Sequence, residues 1–318
     1  MQIPEAFYES EVREGYYVPS KMKRAWGAIL TVLNEIDLVC KRHGLKWWMD
    51  FGSMLATVRH HGFIPWDDDV DIGMLREDYE AFLRYAREEL PKGYVLFNFR
   101  NSNIMHEYFT RVNTQDIFNI TEEYLEANAG FPYVAGVDLM CIDYISPKFD
   151  KEVVDIVKPI DQFADAIGDE TLFKDIPEHQ DFIRTIEKKS RHHFNRSKPL
   201  AQQLRNFCEG YFTMIKKSEA EYAGAVSAHV MRYESYNGIF PIRYYEELIE
   251  MPYEFMTVPV PLHYNEMISK VFGNYMQPYR GGGTHHYPYY LDDENYTIEI
   301  LGSSQMPVCP FKKEFLIH

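Results

Sequence analysis

Four aspartates occupy five consecutive positions in the stretch FIPWDDDVDIGM, residues 63 to 74, with only Val70 between them. Carboxylates this close repel one another, and each raises the pKa of its neighbours. A cation is the natural relief. If the stretch is a strand, side chains alternate, so Asp67, Asp69 and Asp71 share one face while Asp68 and Val70 share the other. Carboxylates at i and i+2 then stand roughly 6.5 Å apart, a spacing for oxygen ligands converging on hard cations. Mg2+ suits such a place, since it takes one or two carboxylates plus substrate phosphates and keeps several waters.

Three alternatives compete with a cation site. An EF-hand loop is excluded, because its glycine position is Ile72, its last ligand position is Asp78 instead of Glu, and Pro65-Trp66 is a poor incoming helix. An acidic surface turn without function stays open. Helix capping accounts for Asp67 or Asp68 alone, but not for Asp69 and Asp71 inside an apolar strand. The segment upstream favours chemistry. DFGSMLATVRH, residues 50 to 60, reads as strand, Gly-Ser, then helix, which puts unpaired amides at a helix N-terminus beside a strand end, a ready phosphate site. Gly52 allows close backbone approach, and the Ser53 hydroxyl can cap the helix or bond a phosphate oxygen. A metal site also wants a carboxylate from a second strand. Asp138, between Val137 and Leu139 in an apolar run, is the best candidate, whereas Asp143 falls on the opposite face and reads as structural.

The elements that must hold these groups alternate between helix and strand. Ser20 to His43 has apolar residues at three- and four-residue spacings and Gly44 as its stop. LKWWMDF (45–51) reads as a strand, Met54 to His60 as a short helix, DVDIGM as the next strand, and residues 76–90 as a helix halted by Pro91 and Gly93. YVLFNF, HEYFTRV and residues 133–145 are further strands. This is the pattern of an α/β or α+β sheet domain. Residues 150–225 are polar with few strand signals and read as a helical insert. They include the basic run KKSRHHFNRSK (188–198), either a solvated helix face or a guide for a polyanion. Pro and aromatic residues return from about residue 236, and LHYNEMISKVFGNYMQP holds another short helix stopped by Gly273. The organisation is therefore a catalytic core (1–147), a helical insert (148–235) and a C-terminal segment packing back on the core (236–318).

The chain has 318 residues and a formal net charge of -15, which removes a global basic footprint for nucleic acid. No run approaches the ~20 apolar residues of a membrane span, and no signal peptide is expected. Cys40, Cys141, Cys208 and Cys309 are far apart, as reduced structural thiols would be. The 24 Tyr, 21 Phe and 4 Trp make an aromatic cage for a quaternary ammonium chemically available, with residues 233–240 and 284–291 the densest clusters.

Gly52-Ser53, the VRHHGFIPWDDDVDIGM segment and VDLMCID together resemble the LicD family of the nucleotidyltransferase-fold superfamily. That pattern is Gly-Ser opening a helix, Asp-x-Asp on a strand, and one more acid on a neighbouring strand, matched here in order by Gly52-Ser53, Asp69-Val70-Asp71 and Asp138. Residues 258–278 and His285-His286 resemble the family's C-terminal Tyr-Gly-Asp-Tyr-Met region, with Phe272 and Asn274 replacing Tyr and Asp. The likeness covers residues 20–145 and 236–290. It implies a nucleotidyltransferase-type mixed sheet flanked by helices, and a transferase moving phosphocholine from CDP-choline to a glycan hydroxyl on teichoic acid or lipopolysaccharide, with release of CMP. CDP-ribitol or CDP-glycerol donors, direct nucleotidyl transfer, or an inactive nucleotide-binding scaffold are the alternatives. It further implies Mg2+ or Mn2+, two ions, held by Asp69, Asp71 and Asp138, with Asp67 as a ligand or just behind one. Ser53 and the following amides would bind phosphate, and Arg59 would neutralise the leaving group. Such a protein would work in the cytoplasm, at the inner face of the membrane, by peripheral association at most.

Overall fold

A short 3-10 turn (Glu5–Tyr8) and a hairpin of β1 (Glu11–Arg13) and β2 (Tyr16–Val18) lead into helix α1 (Ser20–His43) in the computed structural model. The residues described are 1–101, 107–149, 152–167, 177–225, 238–278 and 287–301. Helix α1 has the bounds that its periodicity predicts. It buries Met22, Trp26, Ile29, Leu33, Ile36 and Cys40, and it ends where Gly44 turns left-handed at φ 64°. Next come β3 (Trp48–Met49), α2 (Phe51–His60), β4 (Asp71–Leu75), α3 (Arg76–Glu89), β5 (Val95–Phe97), β6 (Phe109–Asn113), the short α4 (Glu122–Ala127) and the long β7 (Gly136–Ile145).

The sheet runs β3-β4-β7-β6-β5, with β4 and β7 parallel and the other pairs antiparallel. It is the mixed sheet flanked by helices that the sequence implies. Alternation along β4 and β7 sends Ile72, Met74, Val137, Leu139 and Cys141 into the main core with α1 and α3. The opposite face is left to Asp71 and Asp138.

Between β7 and the return to the sheet lie a π-helical turn (Val153–Val157) and the helices α5 (Lys158–Ile167), α6 (Pro177–Ser190) and α7 (Leu200–Phe212). They close on a second core of Val157, Ile160, Ile183, Leu204 and Phe212, joined by Phe99 and Tyr108. The segment expected to be mostly helical ends in β8 (Tyr222–Ala225), which pairs with the outer half of β7 and with β9 (Phe240–Pro241). A buried ionic joint ties this region to the core: Arg76 grips Asp143 through two hydrogen bonds and also reaches Glu209 of α7. Asp143 thus has the structural role expected of it. The basic run 188–198 is exposed apart from the half-buried Ser190 and the buried Phe194, and its Arg196 is already paired with Glu187.

The hairpin β10 (Leu248–Tyr253) and β11 (Met256–Pro261), helix α8 (Tyr264–Phe272) and helix α9 (Leu291–Leu301) complete the fold. No helix among the described residues is long and apolar enough to cross a membrane. Cys40, Cys141 and Cys208 are buried free thiols, while Cys309 lies outside the described residues.

Candidate functional site

The start of helix α2 and the start of strand β4 are fastened together at Asp71. Its backbone N–H donates to Ser53 Oγ at 2.8 Å, and its carbonyl accepts the Asp50 N–H at 3.0 Å. Asp50 is the N-cap, its carboxylate accepting the Phe51 N–H at 3.0 Å. The helix therefore starts three residues earlier than the Gly-Ser pair suggests, and Ser53 lies inside its first turn. Ser53 is a brace for β4 and not a cap, because Asp50 already fills the capping position. A hydroxyl that accepts one hydrogen bond still has a proton to donate. Phe51 sits at φ 41°, a strained conformation for a residue with a side chain, and the strain falls at the helix end facing the aspartates.

A Cβ built on Gly52 would meet nothing nearer than Asp67 Oδ2 at 3.9 Å. Packing does not demand glycine here, so the open space beside Asp67 is what its missing side chain provides. Gly73 is the opposite case. A Cβ there would stand 2.6 Å from the Trp48 indole nitrogen and 3.0 Å from Asp50 Oδ2, so glycine lets both lie across β4.

Strand β4 begins only at Asp71, later than the sequence suggests, with the Val70 carbonyl already accepting the Asp138 N–H at 2.9 Å, and the side chains alternate through the approach. Asp68 and Val70 are buried, and Asp67, Asp69 and Asp71 are partly exposed between them. The loop is held from behind. Trp26 stacks on Phe63, ring centroids 4.6 Å apart, and its indole N–H donates to the Asp67 carbonyl at 3.1 Å. Asp68, facing the other way, accepts the Tyr289 N–H at 2.7 Å. That separates it from its three neighbours, as the alternation requires.

Asp138 of β7 is the direct partner of Asp71 across the parallel pair, so the two carboxylates stand on neighbouring strands. The electrostatics show the convergence. Burial raises the Asp71 carboxyl well above the usual range, and the charges of Asp69, Asp138, Asp50 and Asp67 push it further. Asp67 is pushed up to about 7, by burial first, then by Asp69 and Asp68, and by a hydrogen bond shared with Asp69. Asp50 rises to about 6 through burial, against the pull of the Phe51 amide. Such a set is a hard-oxygen donor group carrying more charge than it can hold alone, which is the chemistry that suits Mg2+ or Mn2+.

Asp138, whose charge adds to that on Asp71, is also held from its other side. Arg111 of β6, its direct partner on the other side, holds it by Nε–Oδ1 at 2.6 Å and Nη2–Oδ2 at 2.7 Å. Among the described residues no three His, Cys, Asp or Glu side chains stand ready as a metal cage.

Arg59 lies away from this arrangement. It occupies the last turn of α2, six residues beyond Ser53 and hence ~9 Å along the axis. There Arg59 Nη1 donates to the Tyr275 carbonyl at 2.6 Å and Nε to the His60 ring at 2.7 Å. The resemblance gives Arg59 the charge of the leaving group to neutralise. The helix carries it instead to the opposite end, where it docks the segment after α8. In the aromatic clusters, Tyr290 stacks parallel on Tyr133 and packs against Phe131 in the core. Residues 233–237 and 284–286, including His285 and His286, lie outside the described residues.

Asp50, Arg111 and Trp26 also belong to the site, and the sequence does not single them out. Asp50 carries a local signal, an Asp immediately before a helix. Arg111 carries none, because its partner is set by strand register.

Residues 44–138 match the LicD/FKTN/FKRP nucleotidyltransferase domain. Over 65 residues the chain is 34% identical to the lipopolysaccharide cholinephosphotransferase LicD of Haemophilus influenzae, covering 20% of this chain and 24% of that protein. Over 40 residues it is 45% identical to the ribitol 5-phosphate transferase FKRP of Homo sapiens, covering 13% of this chain and 8% of that protein. An uncharacterized protein of Rickettsia prowazekii is 49% identical over 51 residues, 16% of this chain and 19% of the relative. The chain thus spans less than a quarter of the length of each of these relatives.

Proposed function

We propose, from the premise that residues 44–138 are a LicD/FKTN/FKRP nucleotidyltransferase domain, that the protein transfers phosphocholine from CDP-choline to a hydroxyl of a cell-surface glycan, releasing CMP. The observation that carries this reading is the pairing of Asp71 with Asp138 on parallel strands, directly beside the opened first turn of α2. An anion cradle next to a set of acids is what phosphoryl transfer from a nucleotide donor requires.

In this reading Asp69, Asp71 and Asp138 hold Mg2+ or Mn2+, two ions, with Asp67 beside them. When bound, the cations neutralise the diphosphate and stabilise the charge that develops on the departing CMP. Ser53 keeps the Asp71 backbone in place and offers its remaining proton to a phosphate oxygen. The first-turn amides of α2 and the positive end of its dipole face the same anion, and Gly52 leaves room for it. Asp50 fixes where that turn begins. Trp26 holds the loop that presents Asp67 and Asp69.

A second reading keeps the chemistry and changes the alcohol to ribitol or glycerol phosphate, favoured by the 45% identity with the ribitol 5-phosphate transferase. The deciding experiment offers the purified protein CDP-choline, CDP-ribitol and CDP-glycerol with Mg2+ or Mn2+ and measures CMP. Metal-dependent release, abolished by EDTA and by Asp69→Ala or Asp71→Ala in folded protein, is the expected result. No release from any donor, with CDP still bound, would return the protein to a nucleotide-binding scaffold.

A further inference from the structure

Strand β7 carries two aspartates, each gripped by an arginine fork, and the two pairs differ in burial and in position. Asp143 and Arg76 are buried, with side-chain exposures of 3% and 10%, and Arg76 is also wired to Glu80 and Glu209. That is a structural joint. Asp138 and Arg111 lie at the open end of the sheet, and the Arg111 side chain is 45% exposed. The Asp138 side chain is 13% exposed, so the pair has one partner open to solvent, and such a pair adds little to stability. What the second pair does have is position: Arg111, Asp138 and Asp71 are consecutive partners across β6, β7 and β4. Neighbouring strands are ~4.8 Å apart, so the guanidinium stands two strands from Asp71 at the rim of the acid cluster. Its charge is already felt there, since Asp71 contributes to holding Arg111 protonated, after Asp138 and Glu107.

We infer that Arg111 is the resident counter-cation of the acid cluster and changes partner when the donor arrives. Without metal it neutralises Asp138. When a divalent cation takes that carboxylate, Arg111 is released and turns its fork onto the donor's diphosphate. A planar guanidinium binds carboxylate and phosphate oxygens by the same two-point geometry, so one side chain serves both states. Metal and diphosphate then bind cooperatively, each removing an obstacle to the other. The inference rests on the metal-dependent transfer proposed above, but its test reads binding without turnover.

The test uses the full chain, Mn2+ titrated by calorimetry or electron paramagnetic resonance, and CDP as the diphosphate probe. Arg111→Met should bind Mn2+ more tightly than wild type in the absence of nucleotide, by up to about fivefold, the factor such an ion pair contributes. With Mn2+ saturating, the same variant should bind CDP about tenfold or more weakly, the usual effect of losing a charged hydrogen-bond donor. Arg111→Lys should keep the competition with Mn2+ and lose most of the CDP affinity. Asp138→Asn frees the guanidinium, so it should bind CDP more tightly than wild type when no metal is present. Weaker or unchanged Mn2+ binding by Arg111→Met would overturn the assignment, as would unchanged metal-free CDP binding by Asp138→Asn. Loss of the folded state in Arg111→Met, seen by circular dichroism, would show the pair to be structural and overturn it too. Exchange observed in a protein that releases no CMP from any CDP-alcohol would sink the transfer reading alone.

Discussion

Removing the Asp69 charge should stabilise the metal-free protein, and only at neutral pH and above. Asp67 is pushed up to about 7, roughly three pH units above the ordinary carboxylate range, with burial as the first cause and Asp69 the second. Asp71 is raised as well, again by burial first and Asp69 second. A group whose folded pKa is raised binds its proton more tightly in the native state than in the unfolded one. Its stabilisation is complete below about pH 4 and is lost as pH rises through about 7. Three pH units at roughly 1.4 kcal/mol each sets a ceiling of ~4 kcal/mol for Asp67. Because burial comes first, the part relieved by Asp69→Asn is about 1–2 kcal/mol, and solvent near the partly exposed cluster reduces it further. The amide that this substitution introduces also keeps a donor for the hydrogen bond now shared with Asp67. The assay is thermal unfolding in EDTA from pH 5 to pH 8. Wild type should lose stability across that range. Asp69→Asn should match it at pH 5 and melt about 2–5 °C higher at pH 8. Saturating Mg2+ should reverse the order, since only wild type gains the ligand's full binding energy. A variant that melts lower than wild type at pH 8 in EDTA would refute the reasoning, because it would make Asp69 a structural acceptor instead of one repelling charge among several.

Gly52→Ala should leave folding unchanged or improve it by up to ~1 kcal/mol, since the added Cβ meets only Asp67 Oδ2 at 3.9 Å. It should nevertheless weaken CDP binding in the presence of Mg2+, and equal affinity in the two proteins would count against the cradle. Arg76→Met should cost about 3–5 kcal/mol in urea unfolding, because it strands the buried Asp143 carboxylate without its fork. A loss under about 1 kcal/mol would mean the joint between the sheet and α7 is dispensable. Charge reversal at the exposed Lys188, Lys189 and Arg191 should raise the KM for a polyanionic acceptor glycan and flatten its salt dependence, while donor hydrolysis to CMP stays constant. A parallel fall in both activities would show that this run supports the core and that the acceptor docks elsewhere.

How much of this molecule is legible in its sequence depends on how local the determinant is. Helix α1 has the expected bounds because an apolar stripe with left-handed Gly44 at its end is complete within its own residues. The alternation of Asp67 to Asp71 is likewise local, and it is present in the approach before β4 begins. Helix α2 starts three residues before the expected position because two residues compete to open it. Gly52-Ser53 has the look of a helix opening, yet Asp50 caps more effectively, and the displaced Ser53 is left to accept from Asp71. The surroundings of Arg59 are likewise not written in its own helix, since its Tyr275 partner comes from a segment more than two hundred residues on. The mostly helical reading of residues 150–225 does not locate β8, because Tyr-Ala-Gly-Ala has little strand character of its own, and its pairing with β7 supplies what composition does not.

Asp138 and Arg111 show where local reasoning stops. An acid in an apolar strand, such as Asp138, can be picked out from its neighbours in the chain. Which groups flank it depends on the register of three strands that come from residues 71–75, 109–113 and 136–145. A shift of one residue in either ladder would send the side chains to the other face, leaving Asp138 beside Ile72 or Thr110. The register is held by the apolar residues on the buried face, Ile72, Met74, Val112, Val137 and Leu139, all fully enclosed. The hydrophobic core therefore determines which charges meet at the site, and the chemistry of the open face is a consequence of packing on the closed one.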